Sequence, residues 1–192
     1  MESKYLILDS RGDPIVHCVA DLHPGQETCV LTVDDGDMAK LLEHEYVKLV
    51  GSSQKSSGME GRIQRTHGNQ VVVHVLHPLE QDVLQNLRMP VHFGSFLYPI
   101  SGQWKGRRVV VSQDLSCGGI AFYCDELLGT GEVAQIVIPV SAQPLLLEIE
   151  ILHQRPSPAK TPLYAAKFIE LTRDEESMVR EAIFSIQIQT AN

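Results

Sequence analysis

The segment 114–119 carries the side chains and backbone that are best suited to holding a small ligand. It contains Asp114, Ser116, Gly118 and Gly119, and it lies between two apolar runs rich in β-branched and aromatic residues. Asp and Ser bond nearby backbone at turns, and Gly tolerates positive φ, so the pattern predicts a strand, a tight connection and a second strand. A carboxylate, a hydroxyl and accessible backbone amides are therefore expected at one edge of a sheet.

The spacing of these residues resembles a known family signature. Asp114-x-Ser116-x-x-Gly119, followed by Ile and a small residue, resembles the second signature of the PilZ domain, the bacterial receptor module for cyclic di-GMP. Residues 163–171 resemble the closing strand of that domain, and residues 172–183 resemble its C-terminal helix. The resemblance covers about half of the chain, and it implies cyclic di-GMP as a ligand, with no cofactor.

The first PilZ signature, Arg-x-x-x-Arg before an apolar strand, is only half present. Arg88 occupies the second arginine position, whereas Leu84 stands at the first. One charge-assisted hydrogen bond contributes about 1.5–3 kcal/mol, so the loss of one weakens binding by about ten-fold to a hundred-fold. The arginines near enough along the chain to replace the missing one are Arg62, Arg65, Arg107 and Arg108.

The resemblance implies ligand-binding roles for Arg88, Asp114, Ser116, Gly118 and Gly119. An arginine fork bonds phosphate or the O6 and N7 edge of guanine, and its plane stacks on purines. Asp114 and Ser116 supply acceptors for the guanine N1 and N2 hydrogens, and the two glycines let the backbone approach the ligand. Asp and Ser also stabilise ordinary turns, so a purely structural role for them stays open.

The composition is typical of a globular protein without affinity for polyanions. The chain has 192 residues, 43% of them hydrophobic, and a formal net charge of −8. Binding to nucleic acid polymers depends on Lys and Arg that neutralise phosphates, so this charge disfavours such partners. No run of 18 apolar residues and no leader-like N-terminus is present, which predicts no membrane insertion and a cytoplasmic location. Four cysteines without a C-x-x-C pair favour a reducing compartment.

The chain is predicted to be mainly β, with two small β-barrel or sandwich domains. Residues 1–80 contain short apolar runs between turn formers, in an order similar to the N-terminal β-domain of flagellar-brake-type proteins. Residues 84–192 are predicted to form the PilZ domain, a six-stranded barrel followed by an α-helix with Thr172 at a capping-box position. A short helix is predicted over residues 37–44, with Asp37 as its cap. The predicted barrel strands are 91–100, 106–113, 119–124, 133–140, 145–152 and 163–171.

The sequence points to neither catalysis nor a metal site. It contains no Ser-His-Asp order, no P-loop and no H-E-x-x-H motif. His74 and His77 lie three residues apart in a predicted strand, where their side chains point to opposite faces. We therefore expect no catalytic residues and no metal ligands.

Two hypotheses about function follow from the resemblance. The first is a cytoplasmic bacterial receptor or effector that transmits cyclic di-GMP binding to motility, biofilm or polysaccharide control, through its N-terminal domain or an unidentified protein partner. The alternative is a degenerate PilZ scaffold that acts by protein contacts without nucleotide binding, and Leu84 is the residue that favours it. The partner, the pathway, the oligomeric state and the ligand stoichiometry stay open at this point.

Overall fold

The structure of the chain, a computed structural model, describes residues 3–23, 25–52, 58–79, 87–139 and 143–186. These residues form two compact units, and the boundary between the units in the sequence falls between Leu87 and Arg88. Leu84 lies outside the described residues. No helix in the described ranges is long and apolar enough to cross a membrane.

The first unit is a closed β-barrel with the strand order β1-β2-β3-β6-β5-β4. Alternation along β3 places Cys29, Leu31 and Val33 inside the barrel and the intervening residues outside. Gly68 has a φ of +59° and lies in the tight turn between β5 and β6. The elements are β1 (Ser3–Leu8), β2 (Pro14–Ala20), β3 (Thr28–Val33), α1 (Met38–Leu41), β4 (Tyr46–Gly51), β5 (Met59–His67) and β6 (Gln70–Pro78).

The helix predicted over residues 37–44 is much shorter than expected. Only α1 is α-helical, after a 3-10 turn at Asp35–Asp37. Asp37 makes no capping hydrogen bond; its carboxylate instead accepts a hydrogen bond from Lys40 Nζ at 3.0 Å. The N–H groups of Glu43 and His44 donate to carbonyls three residues earlier, so the chain tightens before it enters β4.

The second unit is also a closed barrel, followed by a helix, as the sequence predicts. Its strands are hydrogen-bonded in the order β10-β13-β12-β11-β8-β9, and the pairing of β9 with β10 closes the ring. The mainly β fold class with a six-stranded C-terminal barrel is thereby confirmed. The elements are β7 (Arg88–Pro90), β8 (Gly94–Pro99), β9 (Arg108–Ser116), β10 (Gly119–Tyr123), β11 (Val133–Ile138), β12 (Leu145–Arg155), β13 (Leu163–Phe168) and α2 (Arg173–Ser185).

The short strand β7 was not expected from the sequence. It pairs with the end of β9, so that Arg88 lies opposite Ser116 and Pro90 lies opposite Asp114. The predicted strand 91–100 accordingly begins only at Gly94. This extra pairing holds Arg88 against the strand that carries Asp114.

The capping box at the start of α2 is present. Thr172 Oγ1 accepts a hydrogen bond from the N–H of Glu175 at 3.3 Å, and the N–H of Thr172 donates to Glu175 Oε2 at 2.8 Å.

We expect Thr172→Ala to lower the free energy of unfolding of this unit by about 1 kcal/mol, because a helix N–H group loses its acceptor. Urea denaturation followed by fluorescence of Trp104, the chain's single tryptophan, measures this unit. Thr130→Ala, at an exposed loop position, is the control, and an equal effect of both changes would contradict the capping role.

The same cap makes a contribution that depends on pH. Hydrogen bonds from the backbone and side chain of Thr172 hold the pKa of Glu175 below its ordinary value. Because the folded-state pKa is the lower one, the stabilisation is complete above the ordinary glutamate pKa, about 4.3. It is lost as pH falls through the folded-state pKa.

Candidate functional site

Two arginines converge on the carboxylate of Asp114. Arg88 Nη1 donates to Asp114 Oδ1 at 2.9 Å, and Arg155 Nη1 donates to Asp114 Oδ2 at 2.9 Å. The Asp114 side chain is only 13% exposed, whereas those of Arg88 and Arg155 are 48% and 37% exposed. The carboxylate thus lies beneath two guanidinium groups that face solvent. We call these three residues the Asp114 cluster.

Irregularities in the strands position the cluster. In the pairing of β9 with β10, Asp114 lies opposite Ala121 and Ser112 lies opposite Phe122, so Gln113 is an extra, bulged residue. The bulge changes the alternation, and Leu115 rather than Asp114 points into the core. In the pairing of β12 with β13, the register shifts before His153. That shift lies just before Arg155, the last residue of β12, and such bulges re-aim neighbouring side chains.

The cluster carries a net positive charge in an acidic protein. Two guanidinium groups and one carboxylate leave one positive charge, although the chain as a whole has a formal charge of −8. Each arginine donates one N–H to Asp114, and a guanidinium group carries five N–H donors in all. The geometry therefore suits an anion that also presents hydrogen-bond donors to the carboxylate.

Ser116 and the two glycines form the adjacent turn. Ser116 Oγ accepts a hydrogen bond from the N–H of Gly119 and donates one to its carbonyl oxygen, each at 3.1 Å. Ser116 is buried, whereas Gly118 is exposed and its carbonyl accepts the N–H of Phe168 at 2.9 Å. A Cβ at Gly119 would lie 2.1 Å from the carbonyl oxygen of Ala166. Ser116 therefore closes the turn, and Gly119 permits the close approach of β10 to β13.

The arginines proposed from sequence as replacements for the first signature position have other contacts. The guanidinium Cζ of Arg107 lies 4.2 Å from the ring centroid of Phe96, and Arg108 Nε donates to Glu126 Oε2 at 2.5 Å. Both lie near the start of β9, and about six residues of strand, roughly 20 Å, separate them from Asp114. In the first unit, Arg62 pairs with Glu45 at 2.7 Å, and Arg65 is exposed on β5.

Arg155 was missed by the sequence analysis. It lies 41 residues beyond Asp114, and no motif connects the two positions. The available signal was its place directly before the proline-containing loop 156–162, where a strand ends. Only the closure of the barrel brings that strand end to Asp114.

A pocket of about 520 Å³ lies at the other end of β9, between the loops that precede β9 and β11. Its two carboxylates and its indole N–H already have partners. Arg108 bonds Glu126, and the indole N–H of Trp104 donates to Glu132 Oε2 at 3.1 Å. In the part of the chain that the structure describes, no group of three or more metal-ligating side chains is found. The Asp114 cluster is therefore the better candidate for a ligand site.

Comparison with known proteins supplies one family match. The model of the PilZ domain matches residues 82–185, more than half of the chain. No curated protein matches the sequence.

Several solved structures resemble this chain in fold, and three of them are compared with it by identity, coverage and TM-score. The Bacillus subtilis inhibitor of motility (MotI/DgrA) is 12% identical, with 94% of each chain covered and a TM-score of 0.44. Escherichia coli YcgR in complex with c-di-GMP is 11% identical, with 95% of this chain and 83% of that chain covered and a TM-score of 0.39. The PilZ domain of CeSA from a cellulose-synthesizing bacterium is 19% identical, with 50% of this chain and 94% of that chain covered and a TM-score of 0.40.

Proposed function

Because the chain belongs to the PilZ domain family, we propose that it is a receptor for cyclic di-GMP and that the Asp114 cluster binds the nucleotide. The observation that supports this proposal most is the pair of guanidinium groups from β7 and β12 on one largely buried carboxylate. A cyclic dinucleotide offers what these groups need, because its phosphates accept from arginine and its guanine edge donates to a carboxylate. The role is that of a receptor or effector rather than an enzyme.

Arg155 is proposed to supply the cation that the first signature position lacks. The family pattern places an arginine where this chain has Leu84, and Arg155 provides a second guanidinium beside Arg88 from a different strand. A planar fork can bond one phosphate bidentately or stack on a purine. With two forks at the cluster, the number of cations equals that of the complete family signature.

The remaining predicted residues are proposed to shape the site. The hydroxyl of Ser116 is engaged with both polar backbone atoms of Gly119, so we assign it to holding the turn rather than to guanine recognition. Gly118 is exposed and has no side chain to keep a base away from the backbone. Gly119 contributes indirectly, by allowing β10 to lie close to β13.

Binding is proposed to be transmitted through the segment that precedes β7. Arg88 is the first residue of the second unit, so a ligand that fixes its side chain restrains the connection between the units. The output would be control of motility, biofilm or polysaccharide in the cytoplasm, through the first unit or an unidentified protein partner. A distance between two fluorophores, one in each unit, tests this mechanism, and a distance that nucleotide leaves unchanged would contradict it.

Isothermal titration calorimetry with cyclic di-GMP tests the proposed function. We expect saturable binding in the micromolar range or tighter, with GTP and cyclic AMP giving no comparable heat at the same concentrations. The affinity is expected to fall with added salt, because the contacts pair guanidinium groups with phosphates. Absence of binding to the folded protein, confirmed by a second method, would overturn the receptor assignment.

A scaffold that binds only proteins is the second candidate function, and Leu84 is the observation that favours it. The variant Leu84→Arg separates the two candidates, because it restores the family's first arginine. If Arg155 already fills that role, Leu84→Arg changes the affinity by less than about ten-fold. If the wild-type chain binds no nucleotide and Leu84→Arg creates binding, the scaffold candidate is supported instead.

A further inference from the structure

The outer face of the second barrel carries an apolar row that crosses four neighbouring strands, with its two end residues exposed and its two central residues half-buried. On β9 and β8, Val109 lies opposite Phe96. On β11 and β12, Val137 lies opposite Leu146, and Phe96 and Val137 directly adjoin Leu97 and Ile136, the last paired residues of β8 and β11. Val109 is 67% exposed and Leu146 is 52% exposed. In the next row, Tyr98 on β8 is 37% exposed and lies opposite Gln135 on β11, so this row places one aromatic ring beside a polar side chain.

Two charges of opposite sign flank this face. Arg107 precedes β9 and lies over Phe96, and in the described ranges it forms no ion pair. Glu148 on β12 lies two residues beyond Leu146, and its carboxylate accepts a long hydrogen bond of 3.4 Å from the Gln135 amide. Both side chains thus lean from the flanking strands onto β8 and β11, the two central strands. No salt bridge within the described residues uses either charge.

We propose that this face, defined by Phe96, Tyr98, Arg107, Val109, Val137, Leu146 and Glu148, is a dimer interface that binds a second copy of the chain. A twofold axis parallel to the strands and between β8 and β11 places β8 of one copy on β11 of the other. Rotation about this axis leaves every residue at the same height along the strands, so the apolar row of one copy packs on the apolar row of the other. It also brings Arg107 of each copy to Glu148 of the other, because Glu148 lies in the row of Gln135 and Tyr98, and Arg107 directly precedes Arg108, which lies opposite Leu97. Arg107 and Glu148 of the two copies thereby form two symmetric ion pairs across the interface.

Charge reversal tests this arrangement. Sedimentation velocity of the full chain without nucleotide, over a concentration series, measures the dimer dissociation constant. We expect Arg107→Glu and Glu148→Arg each to weaken the dimer at least about ten-fold, because each change opposes like charges across the interface. The double variant Arg107→Glu with Glu148→Arg is expected to restore the dimer, since it exchanges the two charges and keeps the pair.

The control is Lys160→Glu, which reverses an exposed charge in the loop between β12 and β13 and is expected to leave the dimer unchanged. A wild-type chain that stays monomeric up to several hundred micromolar overturns the proposal. So does a double variant that associates no better than the single variants. Circular dichroism of each variant confirms that a lost dimer does not reflect lost folding. The experiment uses no nucleotide, so its outcome is independent of cyclic di-GMP binding.

Discussion

Arg155→Ala is expected to weaken the binding of cyclic di-GMP by about ten-fold to a hundred-fold. The change removes one charge-assisted contact, which contributes about 1.5–3 kcal/mol. It also leaves Asp114 Oδ2 without its guanidinium donor at 2.9 Å. The carboxylate then keeps Arg88 as its cation and the cluster loses its net positive charge. Calorimetry with cyclic di-GMP at constant salt measures the change in affinity.

Two further variants distinguish hydrogen bonding by the planar guanidinium group from a general effect of positive charge. Arg155→Lys keeps the positive charge and loses the planar fork, so its affinity is expected to lie between those of the wild type and Arg155→Ala. Lys105→Ala removes an exposed cation at the far end of β9 and is expected to have no effect. An unchanged affinity of Arg155→Ala would refute the assignment of Arg155, and an equal loss in Lys105→Ala would indicate a general effect of charge.

Gly119→Ala is expected to destabilise the second unit by about 3 kcal/mol. A Cβ at this position would lie 2.1 Å from the carbonyl oxygen of Ala166 and 3.0 Å from the Cα of Lys167. Both contacts are with backbone, so neither can be relieved by the rotation of a side chain, and β10 must move away from β13. That movement opens the strand ring. Urea denaturation followed by Trp104 fluorescence measures the loss.

Gly94→Ala is the matched control for this effect. Gly94 begins β8 as Gly119 begins β10, but a Cβ at Gly94 meets no atom within 4 Å. We expect the unfolding midpoint of Gly94→Ala to remain within the usual small range of surface substitutions. If both alanine variants unfold at the same urea concentration as the wild type, close strand approach is not the reason for glycine at position 119.

The sequence predicted the barrel of the second unit because its signals are local. Alternating apolar residues identify strands, and the Asp-x-Ser-x-x-Gly segment identifies the tight connection between β9 and β10. The capping box of α2 is likewise a pattern of neighbours, Thr172 and Glu175. Such features depend on residues that lie a few positions apart, and a sequence displays them directly.

Features that depend on distant pairing could not be predicted in the same way. The strand β7 forms only because β9 extends past β8 and leaves an edge for Arg88 and its neighbours. Arg155 reaches Asp114 only because the ring closes and β12 is bulged near its end. The helix predicted at 37–44 is shorter for a local reason, since Asp37 bonds Lys40 instead of capping the helix N-terminus. For β7 and Arg155, contacts between strands distant in sequence decided the structure.

The most direct measurement is a titration of the full chain with cyclic di-GMP, followed by the NMR signals of the arginine Nε–H groups. The variants Arg88→Lys, Arg155→Lys and Arg108→Lys assign the three signals of interest. We predict that the signals of Arg88 and Arg155 shift and saturate together, while that of Arg108, which is bonded to Glu126, stays unchanged. Signals of Arg88 and Arg155 that do not respond to saturating nucleotide would contradict the assignment of the Asp114 cluster as the binding site.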